Sequence, residues 1–446
     1  MRNSILLLRF GCLLCISYLC FRNQTYLNMN KKLTVQFAIA IISSMIWLLC
    51  MPSCTRSDVP LSSPQEQPLK DLGKDSRAIA DALDLYKAMY GTALRSNSSE
   101  LEVESVIHSL PNSLRSLPTD SLGVCVVNFK DNNGFVVMNE ARGNSPIAIV
   151  EQGTFDINNL KSTRQDSAIY FLINNAVIND LKFKKRPSTY DGEIIKNRGF
   201  SIIELIEHKT KTRWDQEYPY FKNDNDCPAG CVAVALGQAF AYYKTIKHPI
   251  NGVLVDWKAI ERECSKNNGH LYFNSNPAVL DQVNKVLWWI GQSNGAKYRK
   301  DGTGISSKKA LKFAQENGFE TCPKMYKFTA QQVRNGLLDN KLTYMHGSGE
   351  ARYFIFQSWS WTVGGHAWIV DGYAKVQSNS APYRKYELVH VNWGWDGQLD
   401  GYFYADVFDA SHEPVVPSGS LRSVNKKNFQ FGVEMTHIYP KSYDQH

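Results

Sequence analysis

The chain has 446 residues, of which 43% are apolar and 12% aromatic, and its formal net charge is +8. This length predicts two or three folded units with enough apolar side chains for a large core. The positive charges are spread along the chain and form no long basic run, so the sequence does not indicate nucleic-acid binding.

The ten cysteines fall into two groups, one of which is confined to the first 54 residues. The other group is Cys125, Cys227, Cys231, Cys264 and Cys322. These five are too few and too scattered for a disulfide scaffold, and they include no pair with the CxxC spacing of a zinc site. We therefore predict neither a metal nor any other cofactor.

Residues 1–54 are predicted to be a leader. Two lysines precede an apolar stretch over 33–51, which is typical of an export signal, and we interpret Met29 as the true start. Small residues precede Cys54, as in bacterial signals whose cysteine receives a lipid. The alternatives are an ordinary signal-peptidase site and a retained membrane span. Residues 55–76 are polar, rich in Pro and Ser, and predicted to be a flexible tether.

Residues 77–198 are predicted to form a first body, a small α+β domain without a catalytic set. Periodicity predicts helices and strands in turn: a helix over 78–90, strands over 123–129, 134–139 and 147–155, and a helix over 167–183. The sequence DNNG between the first two strands predicts a hairpin turn. A basic, polar joint over 182–200 follows, and exposed joints of this kind are where proteases cut.

Residues 199–446 are predicted to form a second body, and its first candidate catalytic residue is Cys231. This cysteine opens the stretch CVAVALGQAFAYYK, whose apolar side chains recur at helical spacing. Three interpretations are open at this point: a disulfide or metal clip with Cys227, a small apolar core residue, or a nucleophile. A helix N-terminus favours the thiolate, and the cysteine's own backbone amide can donate to an oxyanion there.

A nucleophilic cysteine needs a base and a group that orients the base. His366 follows two glycines at the start of the predicted strand HAWIV, and Asn392 lies near the end of another predicted strand. The histidine lies 135 residues after the cysteine, inside the ~130–150 spacing of papain-type peptidases. Gln216 in WDQEYPYF, fifteen residues before Cys231, offers a second oxyanion donor.

Four segments of the second body stand in a recognisable order: WDQEYPYF, AGCVAVALGQAFAYYK, GGHAWIVDGY and VNWGWDGQLDGYF. With NGFVVMNEARGNSPIAIVEQGTFD in the first body, they resemble the streptopain family of papain-clan cysteine peptidases and its propeptide, over about residues 75–440. The resemblance implies that Cys231 is the nucleophile, His366 the base and Gln216 part of the oxyanion hole. It also implies an α+β fold, with a two-lobed papain-like catalytic domain (a helical lobe and an antiparallel β lobe) after a small α+β propeptide domain.

The third catalytic member is open within the segment NWGW. Asn392 and Trp393 point to opposite faces of their strand. We expect Asn392 to orient His366, and Trp393 or Trp395 to shield that contact. Cys227 is expected to be a packed loop thiol.

Glycine-rich segments are expected to line the substrate cleft, because glycine lets an extended peptide lie close to the main chain. Neither DGTGISS nor HGSGEAR has the spacing of a phosphate-binding P-loop. The residues expected along the cleft are Gly230, Gly302, Gly304, Ser306, Gly347, Gly349 and Gly365.

Together these features predict an exported bacterial zymogen of a cysteine endopeptidase, located in the cell envelope or outside the cell. Its expected partners are protein or peptide substrates and its own propeptide, an intramolecular inhibitor until the joint is cut. A membrane contact is expected only through a lipid on Cys54. Two alternatives stay open: a Cys-His amide hydrolase or transamidase acting on non-protein or side-chain amides, and an inactive peptide-binding protein of the same fold.

Overall fold

The computed structural model describes residues 72–94, 101–109, 123–140, 143–157, 172–173, 176, 199–223, 225–250, 252–353, 360–379, 383–408 and 431–441. The predicted leader with Cys54, most of the tether, nearly all of the predicted helix over 167–183 and most of the basic joint lie outside these residues. Within the described ranges, no helix combines the length and the apolar character that crossing a membrane requires.

The described residues of the first body include α1 (Leu72–Leu94) and the strands β1 (Val103–Ser109), β2 (Val124–Phe129), β3 (Phe135–Asn139) and β4 (Ser145–Val150). Residues 172, 173 and 176, which fall in the second predicted helix, are also helical. The first predicted helix and the three predicted strands are therefore present. Helix α1 begins before the predicted boundary and includes the end of the predicted tether. Its first turn is polar and includes Asp75, so apolar periodicity could not reveal it.

The predicted hairpin turn lies between β2 and β3. Asp131 and Asn132 take left-handed conformations with φ of 57° and 61°, and Gly134 follows at 86°. Aspartate, asparagine and glycine tolerate this region better than other residues do. The sequence DNNG thus folds as its composition predicts.

The second body contributes five helices and eight strands to the described structure. The helices are α2 (Cys231–Tyr243), α3 (Trp257–Lys266), α4 (Pro277–Ser293), α5 (Ser307–Glu316) and α6 (Ala330–Leu338). The strands are β5 (Phe200–Ile206), β6 (Phe319–Glu320), β7 (Tyr326–Lys327), β8 (Leu342–Tyr353), β9 (Ser360–Ser378), β10 (Lys385–Asn392), β11 (Gly401–Tyr404) and β12 (Phe431–Pro440).

One sheet runs through both bodies, in the order β1-β2-β3-β4-β11-β10-β9-β8-β12-β6, with β5 on β9 and β7 on β12. Its pairs are antiparallel. The junction between the bodies is the β4–β11 pair, where Ile149 lies opposite Tyr402. The mixture of helices with an antiparallel sheet agrees with the α+β prediction, whereas the shared sheet was not predicted.

Three apolar clusters hold these layers together. The largest helical cluster surrounds α2 and includes Trp214, Phe240 and Leu287, together with Tyr344 and Ile369 from the sheet. A second cluster, which includes three tryptophans of the second body, lies on the opposite face of β8 and β9. The third places α1 over the strands of both bodies. Because burial of apolar area is the main favourable contribution to folding, the first of these clusters fixes α2 against the sheet.

Candidate active site

Cys231 is the first residue of α2, and its side chain is half-buried. Every residue from Val232 to Ala241 is buried, so the helix is apolar on all sides and is held deep in its cluster. Helix α2 packs against β9, the strand that carries His366. The helix start leaves backbone N–H groups without partners in the helix, so the cysteine stands at the positive end of the helix dipole.

Gly230 caps the start of α2 with φ of 94°, a conformation that favours glycine. A Cβ at this position would lie 3.0 Å from the carbonyl oxygen of Thr303, and the Thr303 hydroxyl donates to the Pro228 carbonyl at 2.5 Å. The loop that contains Gly302 therefore lies directly against the start of α2. This brings one predicted cleft segment to Cys231.

The remaining predicted cleft residues lie on three elements. Gly304 is exposed in the same loop, and Ser306 is the exposed cap residue before α5. Gly347 and Gly349 belong to β8, where Gly347 is buried and pairs directly with His366 of β9. Gly365, also in β9, is exposed. A side chain larger than hydrogen at Gly347 would share the sheet face of His366, because directly paired antiparallel residues do so.

His366 lies in a box of three tryptophans and is only 5% exposed. Its ring stacks on Trp395 with centroids 4.6 Å apart, and lies about as far from Trp368 (6.0 Å) as from Trp393 (6.1 Å). The ring Nε2 lies 2.8 Å from the main-chain carbonyl oxygen of Trp393. A carbonyl only accepts, so Nε2 carries a proton and donates it to this carbonyl.

The side chain of Asn392 does not orient His366, which corrects the prediction. Its Nδ2 donates to the Thr212 carbonyl at 2.8 Å, and its Oδ1 accepts from Nε2 of Gln238 at 2.8 Å. Gln238 belongs to α2, on the same helix face as Cys231 two turns earlier. Asn392 therefore joins the end of β10 to α2, and the carbonyl of the next residue, Trp393, holds the imidazole.

The main chain of Trp393 is held on both sides of its Cα. Its carbonyl accepts from His366, and its N–H donates to Oδ1 of Asp400 at 2.8 Å. Asp400 is buried, and burial raises its pKa to about 7, although Arg213 and the N–H of Trp393 act in the opposite direction. The orientation of His366 thus depends on a main-chain carbonyl, which a motif of side chains cannot predict.

Gln216 lies beside the loop that precedes Cys231. Its main-chain carbonyl accepts from the N–H of Ala229 at 2.7 Å, and the residue is half-buried. Its neighbour Asp215 is mostly buried, and this burial raises the pKa of Asp215 to about 6. The segment that was predicted to supply an oxyanion donor is therefore next to the start of α2.

The other described thiols stand in different environments. Cys227 is buried, and its Sγ lies 3.6 Å from the Asn225 carbonyl, in agreement with a packed loop thiol. Burial raises the pKa of Cys264 to about 12, so this thiol stays protonated. No disulfide joins any of the five cysteines in the described ranges, so Cys227 and Cys231 are not bonded to each other.

Sequence reasoning missed a buried charged cluster at the junction of the two bodies. Glu151 of the first body lies 2.9 Å from Nε2 of His390 and bonds Arg213, and His390 Nδ1 lies 2.6 Å from Asp371. Asp371 is fully buried within β9. His208 stacks on His390 with centroids 4.7 Å apart.

Both ring nitrogens of His390 face carboxylates, so both must donate and the ring is an imidazolium. Burial alone would lower the pKa of His390, but Asp371 and Glu151 outweigh burial and raise it to about 10. Burial would likewise raise the pKa of Glu151, but Arg213 and His390 hold it well below its ordinary value. The only signal in the sequence was the position of His390 on the same strand face as Asn392.

Among the residues that the structure describes, two groups of side chains bring candidate metal-ligating atoms within 4.8 Å of one another: Glu151 with His208 and His390, and His108 with Cys125 and Glu140. In the first group, Arg213 already bonds Glu151, and a second cation there would meet its charge. In the second group, both nitrogens of His108 already bond carboxylates.

Comparisons with known proteins match this part of the chain. Residues 214–403 match the model of the Peptidase C10 family, the streptopain family that the motifs resemble. The matched range includes Gln216, Cys231, His366 and the NWGW segment.

A curated relative is the thiol protease/hemagglutinin PrtT of Porphyromonas gingivalis. It is 22% identical over 240 residues, which are 47% of this chain and 24% of that protein. This chain therefore matches about a quarter of the relative's length. A fragment of prointerpain A from Prevotella intermedia aligns with 76% of this chain and 98% of its own length, at 17% identity and a TM-score of 0.46. The family match and the thiol protease relative support a cysteine peptidase of the Peptidase C10 type.

Proposed function

We propose that this chain is an exported cysteine endopeptidase that is made as a latent zymogen. The observation that carries the proposal is the match of residues 214–403 to a peptidase family, in a range that holds Cys231 at a helix start and His366 with its Nε2 proton engaged. Helix dipole, base and tautomer all favour the same chemistry, a thiol that loses its proton to an imidazole.

In the proposed reaction, Nδ1 of His366 accepts the thiol proton of Cys231, and the thiolate attacks the carbonyl carbon of a peptide bond. The backbone N–H of Cys231 and the amide of Gln216 donate to the oxyanion. The imidazolium returns its proton to the leaving amine, and the thioester is hydrolysed by water, which regenerates the free cysteine. The helical cluster around α2 and the sheet that carries His366 would form the two lobes of a papain-like cleft.

Latency is the second element of the proposal. The first body would act as a propeptide, and the support for this role is that β4 pairs with β11 of the second body. The joint over 182–200 is basic and polar in sequence, as protease-sensitive linkers often are, and cutting there would start maturation. The proposed partners are therefore protein substrates and the chain's own first body.

Export is the third element, and it rests on the sequence of the leader. The lysines before the apolar stretch over 33–51 and the small residues before Cys54 are typical of an exported bacterial protein. We propose the cell envelope, with a lipid on Cys54, or the extracellular medium. Mass spectrometry of the mature N-terminus from the native host would distinguish the two.

A labelling experiment tests the proposed activity. The processed protein is treated with an epoxide that traps papain-type thiolates, and the modified peptide is mapped by mass spectrometry. We expect the epoxide to modify Cys231 and to abolish casein hydrolysis in parallel. Labelling carried out at acidic pH should be much weaker, because the thiol is then protonated. Hydrolysis of peptidoglycan fragments or glutamine side chains without hydrolysis of casein would favour an amide hydrolase. Absence of both activities and of labelling would favour a binding protein.

A further inference from the structure

The junction between the two bodies is specific in charge as well as in hydrogen bonding. Glu151 directly follows β4 of the first body, and its carboxylate enters the second body, where it is almost fully buried. One carboxylate oxygen bonds Arg213, and the other lies 2.9 Å from Nε2 of His390 and 3.7 Å from Nδ1 of His208. We call Arg213, His390 and His208 the carboxylate socket.

The socket is built entirely from the second body and is held in place from behind. Asp371 accepts from Nδ1 of His390 and from the hydroxyl and backbone N–H of Thr210. Tyr402 of β11 meets the His390 ring edge-on at 5.0 Å, and Tyr90 of α1 lies 5.9 Å from Tyr402. The first body therefore fills the socket with Glu151 and packs Tyr90 against Tyr402, which itself contacts His390.

Loss of Glu151 would leave the socket with more positive than negative charge in a buried place. Arg213 is largely buried, and its Nη1 already has no hydrogen-bond partner in the described structure. Only Asp371 and Asp400 would remain to balance the positive charges of Arg213 and His390. Burial raises the pKa of Asp400 to about 7, so its carboxyl group carries only part of a negative charge at neutral pH. An unpaired buried cation is strongly unfavourable, so the socket favours an occupant that carries a carboxylate.

The same junction also satisfies a strand edge. Gly401, Tyr402 and Phe403 of β11 pair with β4, and the N–H of Glu151 donates to the Asp400 carbonyl at 3.0 Å. A Cβ on Gly401 would lie 2.3 Å from the Ile149 carbonyl, so the backbones approach closely here. Without the first body, β11 would expose unpaired backbone groups beside the socket.

We propose that Glu151 is the residue by which the second body recognises its own first body and keeps it bound after the joint is cut. Cutting the joint alone then leaves a two-piece complex, and release of the second body requires removal or destruction of the segment that carries Glu151. The inference rests on the proposed function only in taking the joint as the site of cleavage.

The test uses the full-length Cys231→Ala chain with the recognition sequence of an unrelated specific protease inserted between residues 186 and 198. After cutting, the pieces are separated by size-exclusion chromatography at neutral pH, and their affinity is measured by dilution. We expect the pieces to co-elute at micromolar concentration. In Glu151→Gln they should separate, with an affinity lower by at least ~10²-fold, since one partner of a buried ion pair has been removed.

Glu140→Gln is the matched control, because Glu140 bonds His108 at 2.7 Å inside the first body and leaves the junction intact. Its pieces should co-elute as in the parent chain. The proposal is overturned if the parent pieces separate on cutting, or if Glu151→Gln pieces bind within about threefold of the parent. Should uncut Glu151→Gln fail to fold, Glu151→Asp, which keeps the charge on a shorter side chain, must weaken association at least tenfold.

The readout requires no catalysis, so it is independent of the reaction that Cys231 performs. Failure of the proposed peptidase activity would appear as an unprocessed, inactive wild-type chain whose engineered pieces still co-elute. Failure of the recognition proposal would appear as pieces that separate freely from a second body that hydrolyses casein.

Discussion

Two buried histidines of the second body show how surroundings decide what an imidazole does. His366 is 5% exposed and His390 3%, so burial does not distinguish them. His366 lies among tryptophan rings and donates one proton to a main-chain carbonyl. His390 lies between the carboxylates of Glu151 and Asp371.

The difference determines which ring is held as a cation by its neighbours. A ring flanked by two carboxylates is held as a cation, and the pKa of His390 is accordingly raised to about 10. It is therefore a poor general base and a good anchor for opposite charge. His366 has a neutral carbonyl on Nε2, where His390 has a carboxylate, and this suits the role of general base that we propose for it. The predictions below test this division between a reactive site and a charged junction.

The largest effect should come from the thiol. Cys231→Ala should reduce casein hydrolysis by roughly 10⁴–10⁶-fold, because no other group can form the acyl intermediate. Cys227→Ala is the matched control, since this buried thiol lies four residues before Cys231 and its Sγ contacts the loop carbonyl of Asn225. It should keep at least half of the activity. Loss of activity in Cys227→Ala but not in Cys231→Ala would mean that Cys227 is the nucleophile.

The second prediction compares the two histidines directly. His366→Ala should lower kcat by roughly 10³–10⁴-fold with little change in the melting temperature of the full-length chain, because a base is lost from an uncharged box. His390→Gln should instead destabilise the full-length chain by about 3–5 kcal/mol, since Glu151 and Asp371 lose a buried cation. Its turnover per folded molecule should stay within about tenfold of the parent. A strongly reduced turnover in folded His390→Gln would contradict the division.

The oxyanion donor should give the next effect. Gln216→Ala should lower kcat by roughly 10²–10³-fold and leave the fold intact, as loss of one such donor does in other hydrolases. The measurement is steady-state hydrolysis of a fluorogenic peptide, with circular dichroism as the check on folding. Glu217→Ala, an exposed neighbour, serves as the control. A loss smaller than about threefold would mean that Gln216 points away from the reacting carbonyl.

Local patterns were sufficient to predict the elements that carry the candidate site. Apolar side chains at helical spacing after Gly230 predicted α2, and the run HAWIV predicted the part of β9 that begins at His366. The order of cysteine, histidine and NWGW then identified the candidates. These signals lie within one helix or one strand, where spacing along the chain equals position in space.

The contacts that orient and join these elements could not be read from such patterns. The acceptor for His366 is a main-chain carbonyl at Trp393, and any residue type could supply it. Glu151 and His390 meet across 239 positions of sequence because β4 pairs with β11. That pairing depends on which sheet edge is left open by the rest of the fold, which is not a local property.

The fourth prediction concerns Asn392, whose role the structure reassigns. Asn392→Ala should destabilise the protein by about 1–3 kcal/mol, because Nε2 of Gln238 would be left unpaired in the core. The carbonyl of Trp393 would still hold His366, so kcat per folded molecule should fall by less than about tenfold. Urea unfolding combined with active-site titration measures both quantities. A loss of 10³-fold at unchanged stability would restore Asn392 as the group that orients the base.

The smallest effect should come from Asp400, which contacts both the candidate active site and the charged junction. Its side-chain carboxylate accepts from the N–H of Trp393, and its main-chain carbonyl accepts from the N–H of Glu151. Burial raises the pKa of Asp400 from 3.8 to about 7, so the folded state holds this proton more tightly than the unfolded chain does. Its contribution to stability is therefore full below about pH 4 and is lost as pH rises toward 7. Asp400→Asn keeps an acceptor for Trp393 without the titration. The difference in melting temperature, variant minus parent, should increase by ~2–5 °C between pH 4.5 and 7 and stay constant above pH 7.5. A difference that does not change with pH would mean that Asp400 is already ionised in the folded protein.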